Sequence, residues 1–281
     1  MEKICVIVDT SANIKNEEIP HVYTVPMIIS TNDGVNIKTL HDQQDITPDE
    51  MLTRMIVGEV FKTASPIMGE CMDLLDNLTK KYEHVIVIAL PKTISGTYNQ
   101  WVLLSHDYDN VKVYDFPIVG DGCKEIVKDV LKLGDVEQID KYMQEAPKKN
   151  VIAIILNETK YLVRGGRLSA LKGMVASLLK FKIVLYLNKD GVALYDKTFK
   201  PSSVISIVKK LFKETIGADV TNIDSSYIFS SGISSSAKLS NHAMIEELEK
   251  NFKIKANIKK LPCVIAAHVG PNYCALSVKI K

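Results

Sequence analysis

The chain has 281 residues, and 46% of them are hydrophobic, which is enough to bury the core of one large domain or two ordinary ones. A formal net charge of +2 at pH 7 gives no reason to expect a nucleic-acid-binding protein. Five scattered cysteines without a C-x-x-C pair argue against a disulfide framework or a zinc site and favour a reducing compartment. Apolar runs such as VIVIAL are far shorter than the ~20 residues of a membrane span, and no signal-peptide pattern opens the chain. We therefore expect a cytoplasmic protein without an integral membrane segment.

Three apolar strands alternate with predicted helices. ICVIVD, VIVIAL and VIAIIL, at 4–9, 85–90 and 151–156, are short, β-branched and almost wholly apolar, as in parallel strands covered on both faces. A helix is predicted after Thr47, which can cap it, with Pro48 in the first turn. A second helix should bury the apolar face formed by Met68, Cys71, Met72, Leu75 and Leu78.

A second pattern begins near residue 150, after the polar segment EAPKKN. Asp190-Gly191 lies between two alternating runs and predicts a β-hairpin. Further strands are expected in SYIFSSG, KIKANIKKL and CALSVKI. We therefore predict an α/β fold with two α/β domains, residues 1–150 with a mainly parallel sheet and residues 151–281 with a mixed sheet.

The motifs of most cofactor enzymes are missing. The sequence has no P-loop, no G-x-G-x-x-G, no H-E-x-x-H and no G-x-S-x-G, and its histidines are dispersed. We expect no cofactor, no metal and no catalytic residues. What remains is a series of loops rich in small hydroxyl residues, several of them after apparent strands: VDTSA, KTASP, ISGTY, VRGGRLSA and AAHVGPN.

These loops suit an anion. Ligands of open α/β sheets bind at the carboxyl ends of the strands, where hydroxyls and the N–H groups of a helix N-terminus can hold a carboxylate or phosphate. Each loop also has a structural interpretation, because a Ser or Thr after a strand is commonly a helix cap. His268 follows an apolar run that reads as a strand, where a histidine is more often a structural residue than a ligand.

Taken in order, these motifs resemble the DegV family. The series T-x-x-P, S-G-T-Y, G-G-R-L-S, D-G and H-x-G-P spans nearly the whole chain, and VIVDTSANI resembles the family's opening strand. The resemblance implies two α/β domains with a long-chain fatty acid of C14–C18 between them. It also implies a carrier, not an enzyme, that presents the carboxylate to a separate bacterial fatty acid kinase for phospholipid synthesis.

The resemblance also implies site residues. The carboxylate contacts would be Thr63, Ser95 and Gly96 with Thr97 beside them, and Arg167 and His268 would flank the head group. The acyl tunnel is expected in the second domain, where its candidate lining residues are Met174, Leu178, Leu179 and Phe181.

The chain departs from the family pattern at four positions. Ala64 replaces a hydroxyl residue, Ile67 a serine, Phe199 an arginine and Asn272 a glycine. These changes remove hydrogen-bond donors and a positive charge near the expected head group, and they bear on the use of a kinase.

Two other functions stay open at this point. A serine esterase or thioesterase would use Ser95 as nucleophile and His268 as base, with Asp9 or Asp115 as the orienting acid. A phosphate-ligand binding protein would use the same hydroxyl loops without catalysis.

Overall fold

The computed structural model describes residues 2–16, 18–32, 37–166, 181–188, 190–217, 221–232, 235–255 and 257–281. The described strands are β1 (Glu2–Asp9), β2 (Val22–Val25), β3 (Ile28–Asn32), β4 (Ile37–His41), β5 (Val60–Ala64), β6 (Tyr82–Ala89), β7 (Val111–Asp115), β8 (Asn150–Leu156), β9 (Lys182–Asn188), β10 (Gly191–Thr198), β11 (Ile223–Gly232), β12 (Ile258–Lys259) and β13 (Asn272–Ile280). The described helices are α1 (Pro48–Ile56), α2 (Met68–Lys81), α3 (Thr97–Ser105), α4 (Gly122–Leu133), α5 (Val136–Glu145), α6 (Lys160–Arg164), α7 (Val204–Ile216), α8 (Ser235–Phe252) and α9 (Cys263–Val269).

The first sheet is wholly parallel, in the order β2-β1-β6-β7. Successive side chains of a strand point to opposite faces, so Val6 packs toward α4 and α5 whereas Ile7 packs toward α2 and α3. Both faces of β1 and β6 are therefore buried, which explains their continuous apolar sequences. The predicted parallel sheet is confirmed.

A second, antiparallel sheet has the order β4-β3-β5. α1 lies between β4 and β5 in the chain. It begins where the sequence predicts, because the Thr47 side chain accepts a hydrogen bond from Glu50 N at 3.3 Å. The sheet matters for the site because β5 carries Thr63.

The third sheet is mixed, in the order β10-β9-β8-β13-β11-β12. Only β11 and β12 pair in parallel, and β9 and β10 form the hairpin predicted at Asp190-Gly191. α7 and α8 pack on one face of this sheet, where Val208 and Leu248 are buried. The other face looks toward the first half of the chain.

Several local predictions are wrong. β8 pairs antiparallel with both of its neighbours, although its apolar sequence resembles a parallel strand, because both of its faces are covered. The predicted apolar face of α2 is only partly buried. Cys71, Leu75 and Leu78 are buried, whereas Met68 and Met72 are 45% and 43% exposed. The strand expected around KIKANIKKL is only two residues long in the described part of that segment. The apolar run before His268 forms a helix, α9.

A large cluster of buried hydrophobic residues joins the two halves of the chain. It includes Ile29 of β3, Ile154 of β8, Leu185 of β9 and Val264 of α9. α9 lies late in the sequence, yet it packs against α1, β3 and β5 of the first half. The division into domains 1–150 and 151–281 stays a prediction, and the shared cluster is where the site lies.

Candidate functional site

Thr63 and His268 are brought together from distant parts of the chain. Thr63 lies near the end of β5, opposite Ile29 of β3, and is half-buried. Its hydroxyl is 2.9 Å from Nε2 of His268, within hydrogen-bond distance. Which of the two donates depends on the tautomer of the ring. The packing of α9 on β5 produces this contact.

Gly165 gives His268 the room it occupies. Gly165 ends α6, and a Cβ atom at this position would lie 2.0 Å from His268 Nδ1. Only a residue without a side chain lets the backbone approach the ring this closely. The first glycine of the G-G-R-L-S motif is therefore required by packing against the candidate site.

Ser95 lies just before the N-terminus of α3. Its hydroxyl is 2.7 Å from Oγ1 of Thr97 and 3.3 Å from the Thr97 backbone nitrogen. Thr97 is fully buried, and its hydroxyl also lies 3.4 Å from Oγ of Ser65. Thr97 thus hydrogen-bonds both to Ser95 and to Ser65, which lies two residues after Thr63. These bonds hold the Ser95 hydroxyl in place.

A mostly apolar cavity opens beside these groups. It contains about 670 Å³ of space not filled by protein atoms, part of it open to solvent. The polar side chains in its wall are those of Thr63, Ser95 and His268. The remaining wall is formed by Met27, Leu90, Ile94, Val119, Ile154, Leu162, Leu185, Leu187, Val192, Val264, Ile265 and Val269.

Two carboxyl groups of the first half are buried: Asp9 at the carboxyl end of β1 and Asp42 directly after β4. Burial raises the pKa of Asp9 to about 6, and its hydrogen bonds with Ser11 only partly oppose that rise. Burial likewise raises the pKa of Asp42, against hydrogen bonds from Cys263 and Val264. The negative charge of Asp42 further raises the pKa of Asp9.

The other predicted site residues have different positions. Gly96 is exposed at the N-cap of α3, and neither it nor Thr97 lines the cavity. Phe181 lies outside the cavity wall and stacks on Phe199, with ring centroids 3.6 Å apart. Arg167, Met174, Leu178 and Leu179 lie outside the described residues, so their roles stay predictions.

The wall residues outside the hydroxyl loops were missed by sequence reasoning. Leu185 and Leu187 alternate along β9, and Val192 pairs with Leu187 across the hairpin. This alternation was visible in KIVLYLN, since one face of such a strand must contact the first half of the chain. Val264, Ile265 and Val269 had no comparable signal, because α9 looked like a strand.

Within the described residues, no helix is long and apolar enough to span a membrane. No group of His, Cys, Asp and Glu side chains in the same residues is arranged to hold a metal ion. All five cysteines are buried and unpaired.

The fold and the cavity define the class: an α/β protein with a parallel and a mixed sheet and a mostly apolar cavity that carries a small polar cluster. A family model described as "Uncharacterised protein, DegV family" matches residues 3–281. The chain belongs to the DegV family, and the resemblance inferred from its motifs is confirmed.

Individual relatives agree with this assignment. The DegV domain-containing protein CA_C1624 of Clostridium acetobutylicum is 29% identical over 76% of this chain and 77% of its own length. The fatty acid binding DegV family protein SAG1342 of Streptococcus agalactiae has a TM-score of 0.81 and 25% identity over all of both chains. The Fatty Acid Kinase (Fak) B3 protein of Streptococcus pneumoniae, solved with linoleic acid, has a TM-score of 0.76. Its identity is 17%, over 99% of this chain and 100% of its own, and it shows the shared fold.

Proposed function

We propose that this protein binds one long-chain fatty acid, with the carboxylate at Thr63, Ser95 and His268 and the acyl chain in the cavity. The observation that carries the proposal is the cavity itself, whose wall, as far as the described residues form it, is apolar except for these three side chains. Such a wall suits a ligand with one polar end. The fatty-acid-binding relative from S. agalactiae and the linoleic-acid-loaded one from S. pneumoniae support the same ligand class.

The head group is held by hydrogen bonds in this proposal. The hydroxyls of Thr63 and Ser95 donate to the carboxylate, and His268 donates from Nε2 to the Thr63 hydroxyl, which frees the Thr63 proton for the ligand. Hydrogen bonds to a charged acceptor contribute about 1.5–3 kcal/mol each. Ser95 also precedes α3, whose first N–H groups favour an anion. Arg167 is proposed to flank the head group.

The acyl chain supplies most of the affinity. Burial of one CH₂ group contributes about 0.8 kcal/mol, so a C14–C18 chain outweighs the polar contacts at its end. Affinity then depends on the tail, whereas the orientation of the ligand depends on the head group. Met174, Leu178 and Leu179 are proposed to extend the apolar wall, and Phe181 to pack near it.

We further propose that the protein is a carrier with no chemistry of its own, which presents the carboxylate to a separate fatty acid kinase. The fatty acid kinase B3 relative supports this partner. Ala64 and Phe199 are the departures that bear on it, and Phe199 is 63% exposed where the family pattern has a cation. A location in the cytoplasm fits the five unpaired cysteines.

The hydrogen bonds of Ser95 favour binding over hydrolysis. A serine nucleophile must donate to its base. In the described part of the chain the Ser95 hydroxyl bonds to Thr97 alone, and Nε2 of His268 bonds to Thr63. Asp9, a candidate orienting acid, instead caps the short 3-10 helix Thr10–Ala12 through Ser11 N at 2.8 Å.

The first test is native mass spectrometry of the purified protein, followed by denaturing extraction and lipid identification. We expect one C14–C18 fatty acid per chain. Protein that is empty and also fails to take up added palmitate or oleate would refute fatty-acid binding. Palmitoyl ester hydrolysis that is lost in Ser95→Ala would support the esterase instead.

A matched pair of double variants tests the head-group assignment. Thr63→Val with Ser95→Ala should weaken palmitate binding by about a hundredfold or more, because two hydroxyl donors of about 1.5–3 kcal/mol each are lost. Thr53→Val with Ser105→Ala is the control, since among the described residues these hydroxyls bond within their own helices, to Asp49 O and Val102 O. Equal affinity of the two double variants, measured by calorimetric titration, would remove Thr63 and Ser95 from the site. Acyl-phosphate formation with a purified fatty acid kinase and ATP tests the partner separately.

A further inference from the structure

The loop after β4 holds the N-terminus of α9 through a buried carboxylate. Asp42 is fully buried, and its Oδ2 atom accepts a hydrogen bond from the backbone nitrogen of Val264 at 3.2 Å. Val264 is the second residue of α9, where a helix has backbone N–H groups without partners in the helix itself. Asp42 is 222 residues away in sequence, so this is a long-range cap.

The same loop is fixed at two further points. The backbone nitrogen of Asp42 donates to Met27 O at 2.9 Å, and Met27 is part of the cavity wall. Asp42 also pairs with Ile46 in an isolated β-bridge, and Ile46 O lies 3.6 Å from the Cys263 sulfur atom at the start of α9. The carboxylate therefore projects from a loop that is held by backbone hydrogen bonds, and α9 contacts that loop at its first turn.

The other end of α9 carries the candidate head-group contact. α9 runs from Cys263 to Val269, so His268 lies about one turn beyond Val264. A short helix moves as a rigid body, and a shift at its first turn displaces its last turn as well. Val264, Ile265 and Val269 line the cavity, so the same movement would also displace part of the apolar wall.

We propose that Asp42 is a positioning residue for the ligand head group: by capping α9 it keeps His268 against Thr63 at the mouth of the cavity. This inference rests on the proposed function, since it concerns the same site. Its physical basis is the unfavourable free energy of burying the Asp42 carboxylate. Asp42 Oδ1 has no hydrogen-bond partner among the described residues, and a buried carboxylate is unfavourable unless it is well paired. A hydrophobic residue would fill the position more favourably, but it would leave α9 without its cap.

Two substitutions separate positioning from packing. Asp42→Asn keeps the shape and an oxygen that accepts from Val264 N, whereas Asp42→Leu keeps the branching at Cγ, is larger and has no acceptor. A hydrophobic replacement of a buried charge is commonly tolerated by the fold. Asp42→Ala serves as a second acceptor-free variant if Asp42→Leu does not fold. Asp45→Ala is the control, because Asp45 lies in the same loop but bonds to His41 N at 2.7 Å and not to α9.

The primary measurement needs no ligand. The His268 ring is observed by NMR in histidine-labelled protein, with its signal assigned from His268→Gln. We expect Asp42→Leu to shift the His268 signal, whereas Asp42→Asn and Asp45→Ala leave it at the wild-type position. Palmitate titration of the same proteins should show about tenfold weaker binding for Asp42→Leu and a change within about twofold for the other two.

The outcomes are distinguishable from failure of the proposed function. If acceptor-free variants lower stability toward urea but leave the His268 signal and the palmitate affinity unchanged, Asp42 has a structural role only and the inference is wrong. If Asp42→Asn shifts His268 as much as Asp42→Leu does, the hydrogen bond to Val264 N is not the cause, and the inference is wrong again. If the wild-type protein binds no palmitate, fatty-acid binding fails, while the His268 signal still decides whether Asp42 positions α9.

Discussion

His268 is the residue on which the site depends most directly. It contacts Thr63 on one side, at 2.9 Å, and the backbone at Gly165 on the other. These two neighbours come from opposite halves of the sequence, so the position of the ring depends on the packing of the two halves against each other. A head-group contact held in this way is sensitive to a single added methyl group.

We predict that Gly165→Ala weakens fatty-acid binding about tenfold while the protein stays folded. The added Cβ would lie 2.0 Å from His268 Nδ1, so the ring must move away from Thr63. Gly165 has ordinary helical backbone angles, φ −76° and ψ −4°, so alanine causes no backbone strain there. Palmitate titration measures the effect. Gly69→Ala is the control, because a Cβ at Gly69 meets nothing within 4 Å, and an equal loss of affinity in both variants would contradict the prediction.

We predict that Asp9→Asn raises the stability of the protein above pH 6 and has little effect near pH 4. The folded-state pKa of Asp9 is about 6, above the ordinary value of 3.8. In the folded state the Asp9 carboxyl therefore stays protonated to a higher pH than in the unfolded state. The free energy of unfolding consequently falls as pH rises from about 4 to about 6. Asparagine can still accept from Ser11 N but carries no charge, so it should gain about 1–3 kcal/mol at pH 8.

Urea unfolding at pH 4.5, 6 and 8 checks this prediction. Asp135→Asn is the matched control, since Asp135 caps α5 through Gln138 N at 2.9 Å but is exposed to solvent. A gain at pH 8 that Asp135→Asn reproduces, or a gain for Asp9→Asn that is the same at pH 4.5, would show that burial of the Asp9 charge is not the cause.

At the scale of elements, sequence patterns predicted the features that depend on neighbouring residues. The Thr47 cap, the Asp190-Gly191 hairpin and the runs that became β1 and β6 all depend on residues close in sequence. The antiparallel pairing of β8 depends on distant strands. An apolar strand covered on both faces has the same kind of sequence in a parallel and in an antiparallel sheet. α9 was missed for a related reason: seven residues rich in valine and alanine, with an isoleucine, show no helical periodicity that separates them from a strand.

The candidate site was predictable only in part. Thr63, Ser95 and His268 were named because they lie in motifs, and the structure brings them to one cavity. The apolar wall was not named, since it combines one face of β9 with parts of α9 and residues before 120. Such a combination depends on packing between distant elements. Gly165 shows the same limit, because its contact with His268 could not be read from a Gly-Gly pair.

We predict that Thr47→Ala lowers the free energy of unfolding by about 0.5–2 kcal/mol. The Thr47 side chain accepts from Glu50 N, and alanine leaves that N–H group at the start of α1 without its cap. α1 packs on α9, so the loss is transmitted toward the site. Urea unfolding measures the change. Thr47→Ser should restore most of the stability, and an equal loss in both variants would mean that the methyl group of Thr47, not its hydroxyl, is responsible.

At the scale of the whole molecule, the cavity joins the two halves of the chain. Its wall takes Met27, Leu90 and Val119 from the first half and Ile154, Leu185 and Val269 from the second. A ligand in the cavity touches both, so its binding energy opposes their separation as well as the unfolding of either one. Ligand binding should therefore stabilise the molecule as one unit.

We predict that palmitate raises the unfolding temperature by about 5–10 °C at a hundred times its dissociation constant, in a single transition. Methyl palmitate, which keeps the tail but has no charge, should give a smaller shift at the same concentration. Octanoate keeps the carboxylate but lacks eight CH₂ groups, about 6 kcal/mol of burial, and should give almost none. Differential scanning calorimetry with the three ligands measures this order. An octanoate shift equal to that of palmitate would indicate a site for small anions, because the tail would then contribute nothing. A palmitate shift confined to one of two separate transitions would mean that the ligand contacts one half only, contrary to the composition of the cavity wall.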